Sequence, residues 1–89
     1  MDVPEPVRNV RTLGRLIRQR RHALHLTQTE LAERANVSRG VLQKLEEGRG
    51  TVTLDSALRI VSLVSADLVL RDRAAAMPPP APGVDIDAF

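Results

Sequence analysis

Apolar positions recur at helical spacing through the middle of this chain and lose that rhythm toward both ends. Leu13, Leu16, Ile17 and Leu24 fall at i, i+3, i+4 and i+11 with arginines on the remaining face, which predicts an amphipathic helix from Thr12 to about His25. Thr27-Gln-Thr-Glu30 has the form of a capping box: the Thr27 hydroxyl takes the Glu30 amide, and the Glu30 carboxylate reaches back. It opens a second helix with Leu31, Ala32 and Ala35 inward. Asn36 tolerates positive φ and marks a turn. Ser38 then caps a third helix that buries Val41, Leu42 and Leu45 and stops near Gly48. Thr53 caps a fourth, with Asp55 well placed against the dipole of its first turn. Leu54, Leu58, Ile60, Val61, Leu63 and Val64 make that helix apolar on more than one face, a surface wide enough to point to a partner.

Asp67–Arg71 is the one strand-like segment. A lone strand can neither satisfy its backbone groups nor bury both faces. With no second strand in the chain, the expected partner is the copy in another subunit, with Leu68, Val69 and Leu70 forming the shared ladder. Met1–Arg11, which holds Pro4 and Pro6, is expected as an extended arm. Ala74–Phe89 contains a proline cluster and is expected as an unpacked tail. The plan is therefore an arm at 1–11, a helical domain at 12–65, a dimerisation strand at 66–73 and a tail at 74–89. The fold class is all-α, with four to five helices.

Composition narrows the chemistry. The 89 residues suit one small domain with at most a modest tail, and the absence of cysteine excludes a disulfide scaffold and a thiolate zinc site. A single Phe is the only aromatic residue, so the core has to be Leu, Val, Ile and Ala. No run approaches the ~18 apolar residues of a membrane span, and the first residues lack the apolar core of a signal peptide. The expectation is a cytoplasmic protein without a membrane partner. The net charge of +2 conceals an asymmetry: residues 8–49 carry ten Lys/Arg against four Glu, whereas the first seven and the last sixteen residues are each acidic by two. A basic centre suits a polyanion, although solvated helix faces are often basic as well. His22 and His25 are too few and too poorly spaced for a metal site. No carboxylate pair or nucleophile–base set is visible either, so neither an enzyme nor a cofactor is expected.

Ile17-Arg18, Arg21, Leu26-Thr-Gln28, Leu31-Ala32, Val37-Ser38 and Leu45-Glu46-Glu-Gly48 together resemble the Cro/C1-type (Xre-like) helix-turn-helix family over roughly residues 12–65. His25 and Asn36 stand where that family often has Gly. The resemblance implies a lambda-repressor-like domain whose third helix enters the DNA major groove. Ser38, Arg39, Gly40 and Gln43 would then face the bases. An arginine can pair bidentately with guanine and a glutamine with adenine, while Gly40 costs roughly 1 kcal/mol of helix propensity, an odd choice unless the backbone must come close to DNA. Ser38 can equally be a cap alone, and Arg39 merely solvated. Thr27 and Gln28, where the free amides of the second helix point outward, would meet a phosphate, with Lys44, Arg49, Thr51 and Arg18 as further backbone contacts. Arg18 and Arg20 can each reach a flanking phosphate or simply lie in solvent, two readings of equal weight. Arg21 and Glu46 are implied as an ion pair that fixes the recognition helix, with no DNA contact of their own.

Within that family, the fourth helix, the strand-like segment and the tail resemble HipB-type antitoxins, which implies a homodimer on an inverted-repeat operator in double-stranded DNA. It also implies repression of its own operon and a HipA-like serine/threonine kinase toxin as partner. A stand-alone regulator without a toxin, or an interaction module that neutralises a toxin without using DNA, are the alternatives. Asp85-Ile-Asp-Ala-Phe89 reads either as an acidic-apolar plug for a partner or as an end with no role.

Overall fold

Each helix of this chain starts at a residue whose side-chain oxygen takes the amide three positions on. In the computed structural model, which describes residues 5–72, Asn9, Thr27, Ser38 and Thr53 accept from the amides of Thr12 (2.8 Å), Glu30 (3.0 Å), Val41 (3.1 Å) and Ser56 (3.1 Å). They open α1 (Val10–Ala23), α2 (Gln28–Ala35), α3 (Arg39–Glu46) and α4 (Leu54–Leu63). Asn9 moves the start of α1 back to Val10, inside the stretch expected as an arm.

The ends are as uniform as the starts. His25, Asn36 and Ser65 adopt left-handed φ of 57°, 56° and 57°, and Gly48 has φ 75°. At each of these positions the next residue's amide bonds back five residues: Leu26 to the Arg21 carbonyl, Val37 to Ala32, Arg49 to Lys44 and Ala66 to Val61. These are Schellman closures, which satisfy carbonyls that a helix end would otherwise leave unpaired. Glycine is the usual residue at such a position because it has no Cβ, and this chain uses it once in four.

Ile17, Leu31, Ala32, Ala35, Leu42, Leu45, Ile60, Val61 and Val64 form one continuous buried core. α1 packs on α3, and α2 lies against both α3 and α4. Leu24, expected inside, is instead exposed beside the α1 closure. Gly14 lets α1 approach this closely, for a Cβ built there would overlap the Leu45 carbonyl oxygen of α3. The exit of α4 is tied to the same helix, since Arg20 donates from Nε to the Val64 carbonyl (3.1 Å) and from Nη2 to that of Ser65 (3.0 Å). Arg20 is thus a cap for α4, where a cation also suits the dipole.

The expected strand is absent among the described residues: Ala66–Asp72 have no regular secondary structure. Leu68, Val69 and Leu70 are exposed, Leu70 fully so. β-propensity suggested a ladder, but a strand forms only against a partner strand, and the described residues contain none. The apolar surplus of α4 does persist, as Leu54 and Leu58 lie exposed one turn apart. The expected tail lies outside the described residues, as do Met1–Pro4 of the arm and Arg73.

Candidate nucleic-acid interface

α2 and α3 are joined by Asn36, Val37 and Ser38, and this tight turn fixes which edge of α3 faces outward. Leu42 and Leu45 point into the core, which leaves Ser38, Arg39, Gly40 and Gln43 exposed along the N-terminal edge. Gly40 has no structural reason to be glycine. A Cβ there would meet nothing nearer than the Ser38 hydroxyl at 4.0 Å, and its φ is not positive. Among the described residues, Arg39, Lys44 and Arg18 have no carboxylate within ion-pairing distance.

Beside this edge lies an open cleft of about 690 Å³ between the end of α1, the start of α2 and α3. Arg18, Arg21 and Arg39 line it together with Glu46 and Glu47 and the polar side chains of Thr27 and Gln28, so it is polar with a small excess of positive charge. The capping box is complete: the Glu30 carboxylate accepts the Thr27 amide at 3.0 Å. That amide, followed by the Thr27 hydroxyl, holds the Glu30 carboxyl below its ordinary range. The Glu30 carboxylate is thus turned back onto the start of α2.

Behind the edge sits a buried polar knot. Arg21 donates from Nε to Glu46 Oε2 (2.7 Å) and from Nη2 to Oε1 (2.9 Å), a bidentate pair with side chains 9% and 2% exposed. Arg21 Nη1 also donates to the Leu26 carbonyl at 2.9 Å, which ties in the α1–α2 turn. Gln28 Nε2 donates to Glu46 Oε1 at 3.1 Å. Sequence reasoning placed Gln28 outside, against phosphate. The structure gives its side chain an inward anchor through one Nε2 hydrogen and leaves the second hydrogen and its α2-terminal backbone amide for outside contacts. Nothing in the local sequence signals this link across eighteen residues.

Arg49, expected as a phosphate contact, is paired with Glu47. Its Nε donates to Glu47 Oε2 at 3.0 Å and its Nη2 reaches the same oxygen. Thr51 is exposed in the α3–α4 loop. Among the described residues no cluster of His, Asp and Glu is arranged to hold a metal ion, and no helix is long and apolar enough to cross a membrane.

Two short helices at a tight turn, the second presenting an open N-terminal edge beside a polar cleft, define the helix-turn-helix class of domain. The chain belongs to the helix-turn-helix domain family, whose pattern it matches over residues 12–74. It is 38% identical over 60 residues, 67% of its own length, to a protein of Pyrococcus furiosus named as an HTH-type transcriptional regulatory protein. It is 39% identical over 56 residues, 63% of its length, to the ImmF control region 10 kDa protein of Bacillus phage phi105. These matches span 19% of the archaeal protein and 62% of the phage protein. Among solved structures it is similar to the clp gene regulator ClgR of Corynebacterium glutamicum, with TM-score 0.63 and 34% identity over 72% of this chain and 67% of that one.

Proposed function

We propose that this chain is a DNA-binding transcriptional regulator whose α3 enters the major groove edge-on. The observation that carries this is Gly40, a helix-weakening residue on an exposed edge where the fold has room for a Cβ. Its neighbours on that edge are Arg39 and Gln43, side chains suited to guanine and adenine. Ser38 caps α3 and presents its hydroxyl at the same edge. Thr27, Gln28, Arg18 and Lys44 grip the flanking phosphates, with the outward amides of α2 contributing. The control-region and regulator names of the relatives support the same function.

One copy of an eight-residue reading helix covers only a few base pairs, so a homodimer on an inverted repeat is the form proposed, with half-site centres about 10 bp apart or a multiple. The exposed Leu54 and Leu58 of α4 offer apolar surface for such an assembly. Nothing in residues 66–72 favours the HipB-type version with its kinase partner, so the regulator is proposed as stand-alone.

Gel-shift titration against DNA upstream of its own gene tests this. The expectation is a clear preference over random duplex at about 150 mM salt, where non-specific binding is weak. Arg39→Ala is expected to cost about 1–3 kcal/mol and to relax one base position, whereas Gln28→Ala weakens all sequences evenly. Equal affinity of the intact chain for random and upstream DNA would overturn the proposal.

A further inference from the structure

Two adjacent glutamates close α3, and they go opposite ways. Glu46 turns in to Arg21, while Glu47 is exposed at the C-cap on the same outward side as Gln43. A carboxylate there is unfavourable twice over. The C-terminal end of a helix already carries partial negative charge, and the DNA-facing edge brings phosphates near it. The fold does not call for it, since Glu47 packs into no core. What it touches is functional surface. Its Oε1 accepts from Gln43 Nε2, one turn back, at 3.4 Å, and its Oε2 accepts from Arg49. Arg18 on α1 is the other charge that acts on it, and Arg49 first, then Gln43, hold its carboxyl below the ordinary glutamate range. At neutral pH it is an anion.

We infer that Glu47 is a specificity-determining positioning residue, which orients the Gln43 amide for base reading and withholds the Arg49 charge from the phosphates. This rests on the groove-binding proposal above. The Gln43 amide has two hydrogens on one nitrogen. With one given to Glu47, the amide plane is set while the second hydrogen and the oxygen stay free, the donor–acceptor pair that adenine N7 and N6 require. The ion pair with Arg49 works on the other side of the discrimination. Affinity for random DNA comes from phosphate neutralisation, so a carboxylate that occupies one cation lowers background binding more than it lowers operator binding.

The experiment uses the full chain and two probes: the duplex that the wild-type protein enriches from a randomised library, and a random duplex of equal length. Glu47→Gln keeps an acceptor for Gln43 and removes the charge; Glu47→Ala removes both. Circular dichroism melts are expected to stay close to wild type, because Glu47 is exposed. For Glu47→Gln, random-duplex binding is expected to tighten several-fold and the slope of log affinity against log salt to steepen by about 0.9, one further phosphate contact. Operator binding changes less. For Glu47→Ala, preference for adenine at the position read by Gln43 is also expected to fall about tenfold. A following Gln43→Ala then adds little, which a role in stability alone would not produce. If both variants move operator and random affinities by one common factor and keep the adenine preference, the inference is overturned. If the wild-type chain enriches no sequence, the groove-binding proposal fails and takes this inference with it.

Discussion

The inner and outer sides of α3 differ sharply in what they touch. Inward, Leu42, Leu45 and Glu46 are buried, and Glu46 alone accepts hydrogen bonds from two other helices. Outward, Ser38, Arg39, Gly40 and Gln43 are exposed, and the bonds that Ser38 and Gln43 make are local, to Val41 and Glu47. One side fixes where the helix lies; the other leaves side chains free for something outside. Substitutions should therefore separate cleanly, with stability changing on the inner side and recognition on the outer.

Glu46→Ala is the harshest test of that separation. It strands the buried Arg21 guanidinium and releases Gln28, and an orphaned buried charge costs about 3–5 kcal/mol. Urea unfolding should show the loss directly, and a change below about 1 kcal/mol would mean that the inner side is not what holds α3.

Gly40→Ala sharpens the contrast because its two effects oppose. Helix propensity gains up to about 1 kcal/mol with no clash to offset it. DNA affinity is nonetheless expected to fall, since the added methyl group stands between backbone and groove. A more stable protein that bound DNA as well as before would place the edge away from DNA.

The smallest effect lies at the start of α2. The folded-state pKa of Glu30 is depressed from the ordinary 4.5. Its contribution is therefore present above that ordinary value and is lost as pH falls through the lowered one. The amide of Thr27 should stay protected from exchange down to mildly acid pH and lose protection only below about 4.5, a response that Glu30→Gln abolishes.

What the sequence made legible was mostly what is decided within a few residues. The Thr27, Ser38 and Thr53 caps, the Asn36 turn and the Leu31–Ala35 and Leu42–Leu45 spacing all depend on neighbours along the chain. Asn9 follows the same rule but was hidden by Pro4 and Pro6, which made the whole stretch look extended. The features that escaped notice depend on distance in sequence. Arg20 finds carbonyls 44 and 45 residues away, and Gly14 meets Leu45. Residues 68–70 failed the other way: their local preference for a strand was real, but a ladder has to be completed by another segment. In the candidate site, the outward placement of Arg39 and Gln43 could be read from helix spacing. The engagement of Gln28 and Arg49 by glutamates could not, because side chains compete for partners only once the helices are placed.

The four Schellman closures bear on how quickly this domain forms. Each described helix closes through bonds between residues at most five apart, to which Arg20 adds a long-range cap at α4. Most close approaches among the described residues are between residues near in sequence. Little chain therefore has to be searched before native structure accumulates, and the main long-range step is bringing α1 with Gly14 onto α3. Domains of such low contact order refold in about microseconds to milliseconds. Newly made or stress-unfolded copies would spend little time with Leu31, Leu42 and Ile60 open to other chains, and that speed comes from where the helices end.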